Sequence, residues 1–202
     1  MSWITDIATL EALYPEPPSQ AATAKVTPRL TPAYRRWLER ARFCLLASIG
    51  PGGTDCSPRG DAGPVVSVLD DATLALPDWR GNNRLDSLRN IVSDGRVSLA
   101  FLVAGSNDIL RVNGRARLSV APRMLGRFER QGRQPRCVIM VALGEVYMQR
   151  AKSLMRSRLW LDGDQSAGLP SLGAILAEIT KGDIDAKAFD TAAPERARQH
   201  LW

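Results

Sequence analysis

The chain holds a single histidine, His200. With no second imidazole and no cysteine partner for it, Ser-His-Asp, Cys-His and histidine-metal chemistries have little support. Cysteine is scarce as well. Cys44, Cys56 and Cys137 are odd in number, widely spaced and in no metal-ligand pattern, which argues against a disulfide framework or a zinc site and fits a cytoplasmic protein. No stretch approaches the ~18 apolar residues of a membrane span. The N-terminus carries Asp6 and Glu11 among its apolar residues and lacks the basic-then-apolar order of a signal peptide. There is no glycine-rich dinucleotide fingerprint and no P-loop. Phenylalanine and tyrosine number only four and three. A basic stripe with interleaved aromatics, which nucleic-acid binding requires, is therefore missing.

Lysine is nearly absent too: Lys25, Lys152, Lys181 and Lys187 are the only ones among 27 basic residues, and the rest are arginine. A net charge of +6 and a pI near 9.7 point to anionic partners. Arginine is the better planar binder of phosphate and carboxylate, although a GC-rich coding sequence gives the same bias. The remaining composition, 45% hydrophobic and 24% charged over 202 residues, suits one domain with a real core.

Hydrophobic periodicity gives the elements. Ser2 to Leu13 can form a short helix, and Tyr14 to Thr31, with four prolines, reads as an irregular connector. Thr31-Pro32 opens a helix through Ala33 to Ala41, with Trp37 and Leu38 inward. Phe43–Ile49 and Thr54–Ser57 form a hairpin around Gly50-Pro51-Gly52-Gly53, and Pro64–Leu69 and Thr73–Leu76 a second one. Strands Arg96–Val103 and Ile109–Val120 follow, then a helix or turn over Ala121–Gln131 and a long strand Gln134–Tyr147. Helices are expected over Gln149–Arg158, Ser171–Lys181 and Asp183–His200. Six or more antiparallel strands with one helix crossing between them indicate a mainly β fold with flanking helices, a small closed or split barrel.

The crossing helix lies in Leu76–Asn90, LPDWRGNNRLDSLRN. Asn83 is placed as its N-cap with Asp86 three residues on, and Leu85, Leu88, Ile91 and Val92 as the buried stripe. Arg80 and Arg84 flank that cap. Cations at the positive end of a helix cost about 0.3 to 1 kcal/mol each, and a bound phosphate would offset this. The alternative is a capped helix with two solvated arginines.

Other candidate residues are Arg59 and Gly60, where a strand enters a glycine-containing loop. On one strand face lie Arg111, Asn113, Arg115 and Arg117, opposite the small residues Gly114 and Ala116, which leave room for a flat ligand or another subunit. Gln149, Lys152 and Arg156 share a helix face, where an acidic group or phosphate would relieve like-charge repulsion. Phosphate-binding arginines without an obvious acid, base or nucleophile suggest that a cofactor carries the chemistry.

The runs SPRGD, LALPDWRGNNRLDSLRNI, RVSLAFLV and LRVNGRARLS closely resemble the pyridoxamine 5'-phosphate oxidase-like FMN-binding family, densely from Phe43 to Val120 and again over Cys137–Trp160. The resemblance implies a single split-barrel domain over 1–202, with a helical extension at 1–41, the barrel core at 42–160 and a second extension at 161–202. It implies a homodimer with two FMN molecules at the subunit interface and a small-molecule substrate; the scattered arginines, few aromatics and lack of long apolar runs add the expectation of no nucleic-acid and no membrane partner. It sets Arg59, Gly60 and Asp61 along the flavin, Leu76, Pro77 and Asp78 beside the ring, and Asn83 and Arg84, flanked by Arg80, at the phosphate. Arg111 would lie near the cofactor, with Lys152 and Arg156 contributed by the second subunit. Gln149-Arg150 stands where relatives have a His-Cys pair. The oxidases' substrate-phosphate ligands are poorly copied by Phe128, Arg130 and Arg133, and Arg198-Gln-His200 matches their Arg-x-His in spelling alone, so vitamin B6 oxidation is not expected. The implied activity is that of an FMN-dependent oxidoreductase. The alternative is a non-catalytic flavin-binding or flavin-carrier protein.

Overall fold

The computed structural model describes residues 2–199, so His200 lies outside the described residues. The N-terminal segment contains α1 (Ile7–Leu13), capped by the Asp6 carboxylate, and α2 (Gln20–Ala24). The expected irregular connector therefore includes a helical turn. It is also anchored: Thr27 and Val146 exchange backbone N–H···O bonds of 2.9 and 2.7 Å. Helix α3 (Pro32–Leu38) starts where Thr31-Pro32 places it, with the Thr31 hydroxyl accepting from the Tyr34 amide and Leu38 fully buried.

Two hairpins follow, β1 (Phe43–Gly50) with β2 (Gly53–Gly60) and β3 (Ser67–Val68) with β4 (Thr73–Asp78). Pro51 and Gly52 make the first turn, and Gly53 takes φ +113, which its missing Cβ allows. The crossing helix is α4 (Asp86–Ser93), followed by β5 (Arg96–Leu102) and β6 (Asp108–Ser119). Helix α5 (Pro122–Arg127) precedes β7 (Cys137–Arg150), then come α6 (Lys152–Ser157), α7 (Leu172–Ile179) and α8 (Ala186–Gln199). No helix among the described residues is long and apolar enough to cross a membrane.

The seven strands form one antiparallel sheet in the order β2-β1-β5-β6-β7-β4-β3. Alternation sends Cys44 and Leu46, Leu99 and Phe101, Leu110 and Val112 to one face, where they are completely buried with Val141 and Val146. This is the split barrel: the sheet curls around its core and no backbone ladder joins the two edges. Helix α4 packs on the β1–β2 hairpin. It does so through its polar side, Ser87 donating to Asp55 (2.5 Å) and the Asn90 amide to the Ser48 hydroxyl (3.2 Å).

Three local expectations fail. Leu85 and Val92 are 44% and 74% exposed, so the buried stripe of α4 reduces to Leu88 and Ile91, because the hairpin takes the Ser87–Asn90 side instead. Gly114 leaves no room for a ligand or subunit: a β-bulge between β6 and β7 brings the Ala142 carbonyl into the space a Cβ would occupy, and Ala116 is 2% exposed. Pairing of β7 with β6 continues to Arg150, which stands opposite Asp108 and donates to it at 3.2 Å. Gln149 is thus a strand residue and shares no helix face with Lys152.

Candidate functional site

The curled sheet leaves a cleft of about 660 Å³ between edge strand β2 and the chain that runs from the end of β4 into α4. That volume lies within the 300–1,000 Å³ range of small-molecule and cofactor sites. Its apolar floor is Val65, Leu76 and Leu88, and its charged lining is arginine-rich.

At one wall, Arg59 donates from Nη1 to Asp78 Oδ1 at 2.5 Å. Both side chains are largely sequestered, at 19% and 13% exposure. The Arg59 Nε–H is buried and has no hydrogen-bond partner among the described residues. Such a donor costs about 1–3 kcal/mol if left unmet, so it marks a place where a ligand acceptor is wanted. Cys44 stands opposite Arg59 in the β1–β2 register and Cys137 opposite Asp78 in the β4–β7 register. Burial pushes the Cys44 thiol up to about 12. Burial, helped by the Asp78 charge, pushes Cys137 up to about 11. Neither is a thiolate nucleophile at neutral pH.

At the other wall the chain enters α4 differently from the expected cap. Asn83 and Leu85 both adopt left-handed conformations, φ +59 and +63, and the Arg84 amide donates to the Asn82 side chain at 3.1 Å. This local Asn-based turn competes with helix and delays α4 to Asp86, so Asn83 is not its N-cap. Leu85 occupies the cap position and no side chain caps the first turn. The positive end of α4 therefore opens beside the cleft with its early amides uncapped by any side chain. Asn83 Oδ1 instead accepts from Arg136 Nη1 at 3.3 Å.

Of the residues singled out in the sequence, Arg59, Gly60, Leu76, Pro77, Asp78, Arg80, Asn83 and Arg84 all line this cleft. Arg84 does not stand as a bare cation: its Nε donates to Asp86 at 2.8 Å, in an exposed pair. Asp61 does not line the cleft. Its carboxylate, 3% exposed, accepts from Arg130 (2.9 Å) and from the Gly63 amide (3.2 Å), which fixes the β2–β3 loop. Arg111 lies on the outer sheet face, 5.2 Å from the Tyr147 ring centroid and 3.4 Å from Gln149 Oε1. Lys152 and Arg156 are exposed on α6, away from the cleft. Trp160 donates to the Ser106 carbonyl at 2.8 Å, as a half-buried structural residue.

Sequence reasoning missed Arg136. It lines the cleft because the β4–β7 pairing ends at Asp78 and Cys137, and the Arg136 amide then donates to the Asp78 carbonyl at 3.2 Å. Taking the last strand to start at Gln134 hid it. The only available signal was its place immediately before the apolar run.

Residues 30–150 match the family model described as Pyridoxamine 5'-phosphate oxidase. Among solved structures, HupZ of Group A Streptococcus superposes with a TM-score of 0.50 at 13% identity, covering 60% of this chain and 94% of that one. An FMN-binding protein from Syntrophomonas wolfei subsp. wolfei gives 0.42 at 13% identity, covering 69% and 96%. An F420 reductase gives 0.42 at 16% identity, covering 60% and 99%. A search of curated proteins gave no match. Likeness to HupZ at this identity speaks for the fold. The family match, which spans more than half of the sequence, shows that the chain belongs to the pyridoxamine 5'-phosphate oxidase family.

Proposed function

We propose that the cleft binds FMN and that the protein is an FMN-dependent oxidoreductase acting as a homodimer on a small substrate. The observation that carries this reading is the buried, unpartnered Nε–H of Arg59 at the cleft wall, aligned by the Asp78 carboxylate. Membership in a family of flavin binders supports it. Bound FMN would supply hydride and two-electron chemistry that the side chains here do not.

The chain's own residues divide the work. Leu76, Leu88 and Val65 offer an apolar bed for a ring system and exclude water from it. Arg59 would donate to a ring heteroatom and favour negative charge there, while Asp78 keeps the guanidinium from swinging away. Arg80, Arg84 and Arg136, with the uncapped start of α4, form the cationic end suited to a phosphate monoester. Dimerisation is supported by an apolar outer sheet face. Phe43 and Leu45 of β1 are 40% and 38% exposed there, beside Pro58 of β2 and Ala100 and Leu102 of β5 in register. Arg111, on β6 of that face, would approach the cofactor of a second copy.

A second reading, a flavin carrier without turnover, is favoured by one observation. The cleft's carboxylates are already engaged: Asp55 by Ser87, Asp78 by Arg59 and Asp86 by Arg84. Protein as purified should be yellow and release a compound of FMN's mass on denaturation. A colourless preparation whose melting temperature FMN leaves unchanged would sink the flavin assignment. Turnover with NAD(P)H or an amine would separate the oxidoreductase from the carrier.

A further inference from the structure

Every residue from 2 to 24 is exposed, yet α1 is not a polar helix. Ile7, Leu10 and Leu13 are 67%, 40% and 62% exposed, and Trp3 and Tyr14, at 78% and 74%, extend the pattern at helical spacing. Such a stripe needs a partner to bury it. The arm is also acidic: Asp6, Glu11 and Glu16 are its only charged side chains before Lys25. Glu11, one turn beyond Ile7, borders the stripe.

A matching surface runs from the end of β7 through α6 and beyond it. Arg150, Lys152, Arg156 and Arg158 occur there with no acidic residue before Asp162. Arg150 and Arg158 are paired with Asp108 and Asp162, whereas Lys152 and Arg156, one helical turn apart, have no ion-pair partner among the described residues. Between and beyond them Met155, Leu159 and Leu161 are 53%, 52% and 74% exposed. Apolar surface rimmed by unpaired cations is complementary to apolar surface rimmed by carboxylates.

We propose that the α1 arm of one copy docks on the α6 surface of a second copy, so that paired chains exchange arms. The arm's root is fixed where Thr27 pairs with Val146 on β7, and residues 14–26, five of them helical in α2, give it a reach of up to about 34 Å. In the single chain the arm stays undocked although α6 follows directly after β7, which leaves the surface open to the partner's arm. An anionic membrane is not the arm's partner, because it would repel the arm's carboxylates. The docking rests on the paired state proposed above and not on what the cleft holds. It assigns Lys152 and Arg156 to the partner's arm and not to the cofactor.

The test uses full-length chains carrying Cys56→Ser, one with Ala12→Cys and one, of different tagged length, with Ser153→Cys. After mixing, a short bis-maleimide should join unlike chains into a mixed dimer. Lys152→Glu with Arg156→Glu should cut the yield about tenfold, and Glu11→Lys should restore part of it. Light scattering runs in parallel. A monomer mass overturns both the pairing and the arm exchange. A dimer mass overturns the exchange alone if no inter-chain link forms or if charge reversal leaves the yield unchanged.

Discussion

Arg59 of β2 and Asp78 of β4 come from opposite sides of a sheet in which four other strands separate them, and their side chains meet at 2.5 Å. The pair spans a seam that no backbone ladder closes, and the cleft opens beside it. This interaction thus bridges the seam and presents the guanidinium to the cleft.

Asp78→Ala should destabilise the protein by about 2–4 kcal/mol, because it strands a mostly buried guanidinium, and residual solvent at both side chains keeps the loss below that of a fully buried pair. Replacing both, Arg59→Met with Asp78→Leu, should recover part of it. Urea unfolding of the two variants checks this, and equal losses in both would show that the charge left behind is not what matters.

Gly114→Ala places a methyl group against the Ala142 carbonyl and within 3.2 Å of its carbon. Backbone cannot rotate aside as a side chain can, so the β6–β7 bulge must open, at a cost of about 2 kcal/mol or more. Gly52→Ala, with nothing within 4 Å of its Cβ, is the matched control and should change stability little. Thermal unfolding distinguishes the two.

The thiols give a pH dependence. Their ordinary value is 9.0, against about 12 for folded Cys44 and about 11 for folded Cys137. Below about pH 9 both are protonated folded or unfolded, and the stability is fully present. Above it the unfolded chain loses these protons first, so stability should fall as pH rises from 9 towards 11 and 12. The Cys44 contribution is up to about 1 kcal/mol per pH unit, reduced in Cys44→Ala. At pH 8 iodoacetamide should label exposed Cys56 alone in the native protein and all three cysteines after denaturation.

Arg136→Ala should weaken FMN about 10- to 100-fold while changing riboflavin less, since a guanidinium recognises the phosphate and not the ring. Arg84→Ala should show the same preference with a smaller effect, because Asp86 already holds that guanidinium. Calorimetric titration of both ligands checks this. An equal loss for FMN and riboflavin would place the phosphate elsewhere.

Much of this fold was legible in the sequence because its hairpins are locally encoded. Pro51-Gly52 between alternating runs gives β1–β2, and Thr31-Pro32 gives the start of α3. Most of the cleft residues were legible through the SPRGD and GNNRLDSLRNI runs. The entry to α4 misled because Asn83 and Asp86 spell a cap, whereas Asn82 captures the Arg84 amide and two left-handed residues postpone the helix. The start of α6 was displaced because Gln149 and Arg150 are held in β7 by strand pairing, which no local pattern encodes. The Arg59–Asp78 contact and the place of Arg136 depend on strand order around the curled sheet, so no single segment contains them.

The central claim is that the cationic end of this cleft reads a phosphate monoester attached to a flavin. Titrating the wild-type protein, stripped of any bound ligand, with FMN and with riboflavin while following flavin fluorescence tests it most directly. Saturable binding is expected, at least about tenfold tighter for FMN. Equal affinity for the two, or no binding of either, would contradict it.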